Sequence, residues 1–189
     1  MIHLLLEHIE IFTSIEDDLK ERIQKISSIK KISKGDFLHK PGRVCDRTYF
    51  ITKGLLRTYY EKDGKEVTDN FSAEGEWITS IYSFLQNVPD RFHIQAIEDS
   101  DLIVIKLEDL EKCFHDFHAM ETFGRILMTR YFLSKSEKAI SLQFFSAREK
   151  YQYFLKTEKH KVNRIPLGMV ASYLGITQET LSRVRAEKG

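Results

Sequence analysis

Cysteine is scarce: two in 189 residues, Cys45 and Cys113, far apart in the chain. That excludes a disulfide framework, fits a reducing cytoplasm, and leaves too few thiolates for a four-cysteine iron–sulfur cluster. No apolar run approaches the ~20 residues of a membrane span. The opening residues, Met1-Ile2-His3-Leu4-Leu5-Leu6-Glu7-His8, lack the basic segment and long apolar stretch of a signal peptide. The expectation is a soluble cytoplasmic protein with no membrane partner. Also missing are a P-loop, a nucleophile elbow and a paired-carboxylate signature. His39 and His93 are isolated, unlike the clustered histidines of a barrel metal enzyme. His115-x-x-His118 places two imidazoles on one helical face but brings no third ligand. Cys45, beside Asp46 and Arg47, reads as an ordinary structural cysteine. No catalytic residue, metal site or certain cofactor is assigned, and an enzyme is not expected.

What is present is a globular composition, 42% hydrophobic, with an uneven charge. The net charge is only +1. Residues 146–189 nevertheless hold nine Lys and Arg against four Asp and Glu, and residues 1–145 hold twenty against twenty-four. A basic tail on an acidic body suits an anionic polymer as partner.

That tail contains Pro166-Leu167-Gly168-Met169-Val170-Ala171-Ser172-Tyr173-Leu174-Gly175-Ile176-Thr177-Gln178-Glu179-Thr180-Leu181-Ser182-Arg183-Val184-Arg185, the pattern of a helix-turn-helix. Val170 and Leu174 are one turn apart, Ile176 sits in the turn, and Leu181 and Val184 recur on a second helix. These five positions can form one small core between crossed helices. Ala171 is small where the second helix must approach. Gly175 stands where the chain leaves the first helix, a place for positive φ. Thr177 is a candidate N-cap. Gln178, Glu179, Ser182 and Arg183 face outward, with side chains that can read base edges. A plain helical hairpin would share the core but not the polar edge.

Along the rest of the chain the texture changes twice. The first ~30 residues read as helical, with Thr13-Ser14-Ile15-Glu16 as a capping box ahead of Leu19, Ile23 and Ile26. From about residue 31 to 107, short β-prone stretches alternate with turns: Phe37-Leu38-His39, Thr48-Tyr49-Phe50-Ile51, Leu55-Leu56-Arg57-Thr58-Tyr59-Tyr60, Val67-Thr68-Asp69-Asn70-Phe71, His93-Ile94-Gln95-Ala96-Ile97 and Leu102-Ile103-Val104-Ile105. Asp63-Gly64 is a hairpin signal. Many short strands argue for an antiparallel barrel or jelly roll. Residues 107–145 return to helical spacing, with Leu110, Phe114, Phe117, Met120, Phe123, Leu127, Tyr131, Ser134 and Lys138 stepping by three or four. Ile126, Phe132, Leu133 and Ile140 widen this apolar face beyond what one barrel covers, so a partner helix in a homodimer is expected. The expected fold is α+β: a jelly-roll barrel with N-terminal helices over 1–107, a long dimerisation helix over 108–145, and an all-α helix-turn-helix domain over 146–189.

Helix, small barrel, long helix, helix-turn-helix: this order resembles the Crp/Fnr family of bacterial transcription regulators. The likeness spans nearly the whole chain. Lys34-Gly35-Asp36-Phe37-Leu38 through Tyr49-Phe50-Ile51-Thr52-Lys53-Gly54 resembles the family's opening strands, Gly75-Glu76-Trp77-Ile78 the start of its phosphate-binding cassette, and Gln178-Glu179-Thr180-Leu181-Ser182-Arg183 its recognition helix. The resemblance implies a cyclic-nucleotide-binding-like barrel and a homodimer on a near-palindromic site in double-stranded DNA. It also implies RNA polymerase as a partner, and a signal in the barrel that realigns the DNA-binding heads. By position, Gln178, Glu179 and Arg183 would read bases, and Thr177, Thr180, Ser182 and Arg185 would hold phosphates.

The family's cyclic-AMP binders use a glutamate for the ribose, an arginine for the phosphate and a small hydroxyl residue after that arginine. Here those positions fall near Ser80 and on Arg91 and Phe92, so one group of three survives in kind. The candidate effector residues are Gly75, Glu76, Ser80 and Arg91. Cyclic AMP is not the expected ligand; another small-molecule effector, a protein signal or an empty pocket stay open. The family's β-hairpin wing has only Ala186-Glu187-Lys188-Gly189 in its place, so the domain is expected to lack a full wing, whether it is naturally wingless or the sequence is a clipped piece of a longer chain, with Lys156, Lys159, Lys161 and Arg164 as partial replacement phosphate contacts. The alternative is a ligand-binding regulatory module whose C-terminal helices bind a protein.

Overall fold

The computed structural model describes residues 1–186. Glu187, Lys188 and Gly189, and with them the reading of a missing wing, lie outside the described residues. Two helices lead, α1 (Ile2–Glu10) and α2 (Asp17–Ile26), which bury Leu5, Ile9, Leu19 and Ile23. Eight strands follow: β1 (Ser27–Ile32), β2 (Phe37–His39), β3 (Arg47–Lys53), β4 (Leu56–Lys62), β5 (Lys65–Ser72), β6 (Trp77–Ile78), β7 (His93–Ala96) and β8 (Ser100–Lys106). Helix α3 (Ile81–Gln86) lies between β6 and β7. The strands make two antiparallel sheets, in the orders β1-β8-β3-β6 and β2-β7-β4-β5. This is the jelly roll that the spacing of strands and turns predicts. Asp63 and Gly64, with φ of +52° and +71°, supply the left-handed pair that a two-residue hairpin between β4 and β5 needs.

The barrel's central strands serve two cores. Tyr49 and Ile51 of β3 and Leu102 and Val104 of β8 fill the space between the sheets with Leu56, Ile94 and Ala96. Phe50, Ile103 and Ile105 turn the other way, onto the N-terminal helices and onto α4 (Leu107–Asp116) and α5 (His118–Phe144). Both faces are covered, so strand alternation is hidden in a continuous apolar run. Each such side chain contributes roughly 1.5–3 kcal/mol on burial.

Four local expectations need correction. Residues 27–32 are not helical: β1 pairs in full register with β8, from Ser27↔Ile105 to Ile32↔Ser100. A long partner strand outweighs weak local spacing. The capping box at 13–16 does not form; Glu16 precedes α2 without a side-chain cap bond. The helical stretch after 107 is broken at Phe117, with φ −130° and ψ 110°. The break lets α4 fold against α5, where a Cβ on Gly124 would stand 3.0 Å from the Phe114 ring. For the same reason His115 and His118 do not share a helix. Each instead faces its own neighbouring acid, Asp116 at 3.2 Å and Glu121 at 3.3 Å.

Beyond α5 come α6 (Ala147–Thr157), α7 (Leu167–Leu174) and α8 (Gln178–Ala186). Ser146 and Glu149 form a reciprocal capping box on α6. No helix among the described residues is long and apolar enough to cross a membrane.

Candidate nucleic-acid interface and effector pocket

The helix-turn-helix is built from α7 and α8 as its sequence dictates. Gly175 takes φ +64°. Its N–H donates to the Ser172 carbonyl at 3.2 Å, and the Ile176 N–H to the Ala171 carbonyl at 3.1 Å. This closes α7 in a left-handed cap that glycine adopts without strain. Thr177 then caps α8, its Oγ1 accepting the Thr180 N–H at 3.2 Å. Val170, Ala171, Leu174, Leu181 and Val184 are buried together with Tyr151 and Phe154 of α6, and Ile176 packs against them.

The opposite side of α8 is open. Thr177, Gln178, Glu179, Ser182, Arg183 and Arg185 are exposed and Thr180 is half-buried. The Glu179 carboxyl is held below its ordinary value by hydrogen bonds from its own N–H and from the Thr177 hydroxyl, so it is an anionic acceptor at neutral pH. All seven sequence-designated residues therefore stand on one short helix and its cap, six of them exposed.

The basic residues ahead of α7 divide. Lys156 and Lys159 are exposed. Lys161 and Arg164 are not available for phosphates, because barrel acids hold both. Lys161, 3% exposed, donates to both oxygens of Glu76 at 2.9 Å and to the Phe71 carbonyl at 3.1 Å, and pairs with Glu158 at 2.6 Å. Arg164 grips Glu74 at 2.8 and 3.0 Å and Glu98 at 2.5 and 3.1 Å. Ser172 of α7 donates to the Glu66 carbonyl and accepts the Thr68 N–H, which closes the free edge of β5. Barrel residues Leu55, Phe71, Ala73 and Ile97 share one core with the C-terminal helices. Lys138 of α5 joins the same junction. It donates to the Asp69 carbonyl and lies 4.0 Å over the Tyr173 ring; burial pushes its ammonium down to about 8. Sequence reasoning missed this docking; the acidic turn Glu74-Gly75-Glu76 facing a basic segment was its only trace.

The candidate effector residues separate. Gly75 and Glu76 lie in the turn before β6, where Glu76 is committed to Lys161. Arg91 is exposed on an open pocket of about 580 Å³ lined by Tyr60, Tyr82, Pro89, Asp90, Arg91 and Phe92. Ser80 is buried and donates to Asp90. Cys45 is buried too, with its sulfur near the Thr79 hydroxyl.

The docking predicts acid sensitivity. Burial pushes the Glu74 carboxyl up, but hydrogen bonds from Arg164, from its own N–H and from the Gly54 N–H outweigh this and hold it at about 2. A carboxyl depressed from 4.5 stabilises the fold above about 4.5 and ceases to do so as pH falls toward about 2. Urea midpoints should drop across that window in the wild type and less steeply in Glu74→Gln. An unchanged slope in the variant would show that the Arg164 pair contributes nothing to stability.

Comparison with known proteins agrees with this architecture. Residues 29–117 match the family model described as a cyclic nucleotide-binding domain. An anaerobic regulatory protein of Pasteurella multocida is 24% identical over 185 residues, covering 92% of this chain and 67% of that protein. The neuropathy target esterase sws of Drosophila ananassae is 29% identical over 119 residues, covering 59% of this chain and only 8% of that protein. A solved structure from Eubacterium rectale, described as a transcriptional regulator of the Crp/Fnr family, superposes with a TM-score of 0.70 at 20% identity, covering 92% of this chain and 83% of that one. Residues 29–117 are thus similar to cyclic nucleotide-binding domains, and the fold as a whole is like that of the solved Crp/Fnr-family structure.

Proposed function

We propose that this chain is a sequence-specific DNA-binding transcription regulator of the Crp/Fnr type, acting as a cytoplasmic homodimer and not as an enzyme. The orientation of α8 carries the reading. Leu181 and Val184 seal the core while Gln178, Glu179, Ser182 and Arg183 remain exposed. The names of the bacterial relatives support it. Arg183 would hold guanine O6 and N7, Glu179 would accept from a cytosine amino group, and Gln178 would read adenine. Thr177, Thr180, Ser182 and Arg185 would position the phosphates. Residues 1–107 would sense, 108–145 would join the two copies, and 146–189 would read DNA and present the complex to RNA polymerase.

The homodimer rests on α5. Phe132, Leu133, Ile140 and Phe144 are exposed and fall within roughly 120° around the helix axis, on the side away from buried Met120, Phe123 and Ser141. A second α5 laid on this stripe would set two α8 helices toward half-sites about 34 Å apart. A signal acting on the barrel would change DNA affinity only by binding the two dimer arrangements unequally.

Selection of duplexes from a random pool tests the reading. A near-palindromic site should emerge, with affinity falling steeply as salt rises. Arg183→Ala should weaken that site by roughly 1–3 kcal/mol and relax preference at one base pair. Equal losses on every duplex would reduce Arg183 to a phosphate contact. No enriched duplex would remove the proposal.

A further inference from the structure

The pocket beside Arg91 contains a carboxylate in an unusual position. Asp90 is 5% exposed at its side chain, yet no Lys or Arg pairs with it among the described residues. Instead its Oδ1 accepts from His39 Nε2 at 2.9 Å and from the Phe92 N–H at 3.0 Å, and its Oδ2 accepts from the Ser80 hydroxyl. His39 ends β2, Ser80 precedes α3 and Phe92 precedes β7, so three separate parts of the barrel converge on one acid. The Gly42 N–H adds a bond to the Asp90 carbonyl at 2.8 Å. Burying a carboxylate is costly unless donors surround it. Equally, convergent donors around a small space make an anion site. Serine, histidine and aspartate here are not a catalytic triad: serine and histidine both bond the acid and do not bond each other.

We propose that Asp90 is a built-in anion that fills the barrel's own anion cradle, in place of the phosphate or carboxylate of a diffusible ligand. Ser80 is buried, and its hydroxyl is consumed by Asp90. The cradle is therefore satisfied without an effector, and an anionic ligand has no donors left to take there. Arg91 stays outside it, on the exposed lip. The inference rests on barrel geometry alone and does not depend on DNA binding.

Thermal unfolding of the full chain tests it. Asp90→Ala leaves His39, Ser80 and the Phe92 N–H facing a hole the size of a small carboxylate. Its midpoint should fall. Formate at about 100 mM should then raise it by about 5 °C relative to chloride at equal ionic strength, with no such gain in the wild type. Adding His39→Ala to Asp90→Ala should abolish the formate response. Equal responses in wild type and Asp90→Ala would overturn the proposal. Should Asp90→Ala not fold, two measurements still decide. Asp90→Asn, which keeps the volume and one acceptor, should fold without a formate response. The wild-type Phe92 amide signal should not move when inorganic phosphate is titrated; a saturable shift would show that the cradle is open to outside anions.

Discussion

Lys161→Ala should destabilise the protein by about 3 kcal/mol and loosen α6, α7 and α8 from the barrel. The lysine is almost fully buried and reaches Glu76, Glu158 and the Phe71 carbonyl together. Truncation leaves two carboxylates and a carbonyl facing a low-dielectric gap, and breaking a buried pair by removing one partner costs about 3–5 kcal/mol. The lower end applies because Glu76 is a third exposed. Urea unfolding gives the size of the loss, and amide exchange gives its place. Protection should fall in α7 and along β5, which Ser172 joins, while the α1–α2 core stays protected. Adding Glu76→Gln and Glu158→Gln should recover much of the loss, since no charge is then stranded. A loss below about 0.5 kcal/mol, the range of an ordinary surface substitution, would mean the cluster is solvated and does not hold the two parts together. The same variant reads function. If docking sets where the proposed DNA-binding head stands, affinity for the selected duplex changes while Arg183 and its neighbours are untouched.

Phe132→Asp should convert the proposed homodimer into a folded monomer. Phe132 is 68% exposed and Phe144 75% exposed in the single chain, so neither contributes much to the fold of one copy. In a symmetric helix pair each substitution is made twice, and each places a charge in an apolar seam. Central aromatic positions of interfaces cost upwards of about 2 kcal/mol on truncation alone, so the dimer constant should weaken by at least about 100-fold. Sedimentation should show a monomer at concentrations where the wild type is a dimer. Near-UV circular dichroism should be unchanged, and affinity for a two-half-site duplex should fall toward that for a single half-site. A wild type that sediments as a monomer, or a variant that remains dimeric, would remove α5 as the interface.

Local chemistry made the C-terminal motif readable. Gly175 turns left-handed, Thr177 caps, and Val170, Leu174, Leu181 and Val184 bury because each requirement is met within a few residues. Six of the eight barrel strands, all but β1 and the two-residue β6, and the Asp63-Gly64 hairpin were legible on the same basis. β1 was not, because Ser27–Ile32 becomes a strand only by pairing with a segment some seventy positions away. Nor was the break at Phe117, which carries no Pro or Gly and is set by α4 lying against α5.

Lys161 and Arg164 mark the same boundary from the side of charge. As sequence they were spare cations near a DNA-binding motif; in the fold they are spent on Glu74, Glu76 and Glu98. Asp90 was similarly an unremarked loop acid until His39 and Ser80 closed around it. Sequence by itself determined most of the segments that coil or extend and which helix presents polar side chains, since these follow from spacing and backbone preference over a few residues; β1 and the break at Phe117 were left to long-range packing. Tertiary structure alone decided which charges remain free to meet a ligand, because an ion pair depends on distance in space, and only folding brings distant residues within a few ångströms.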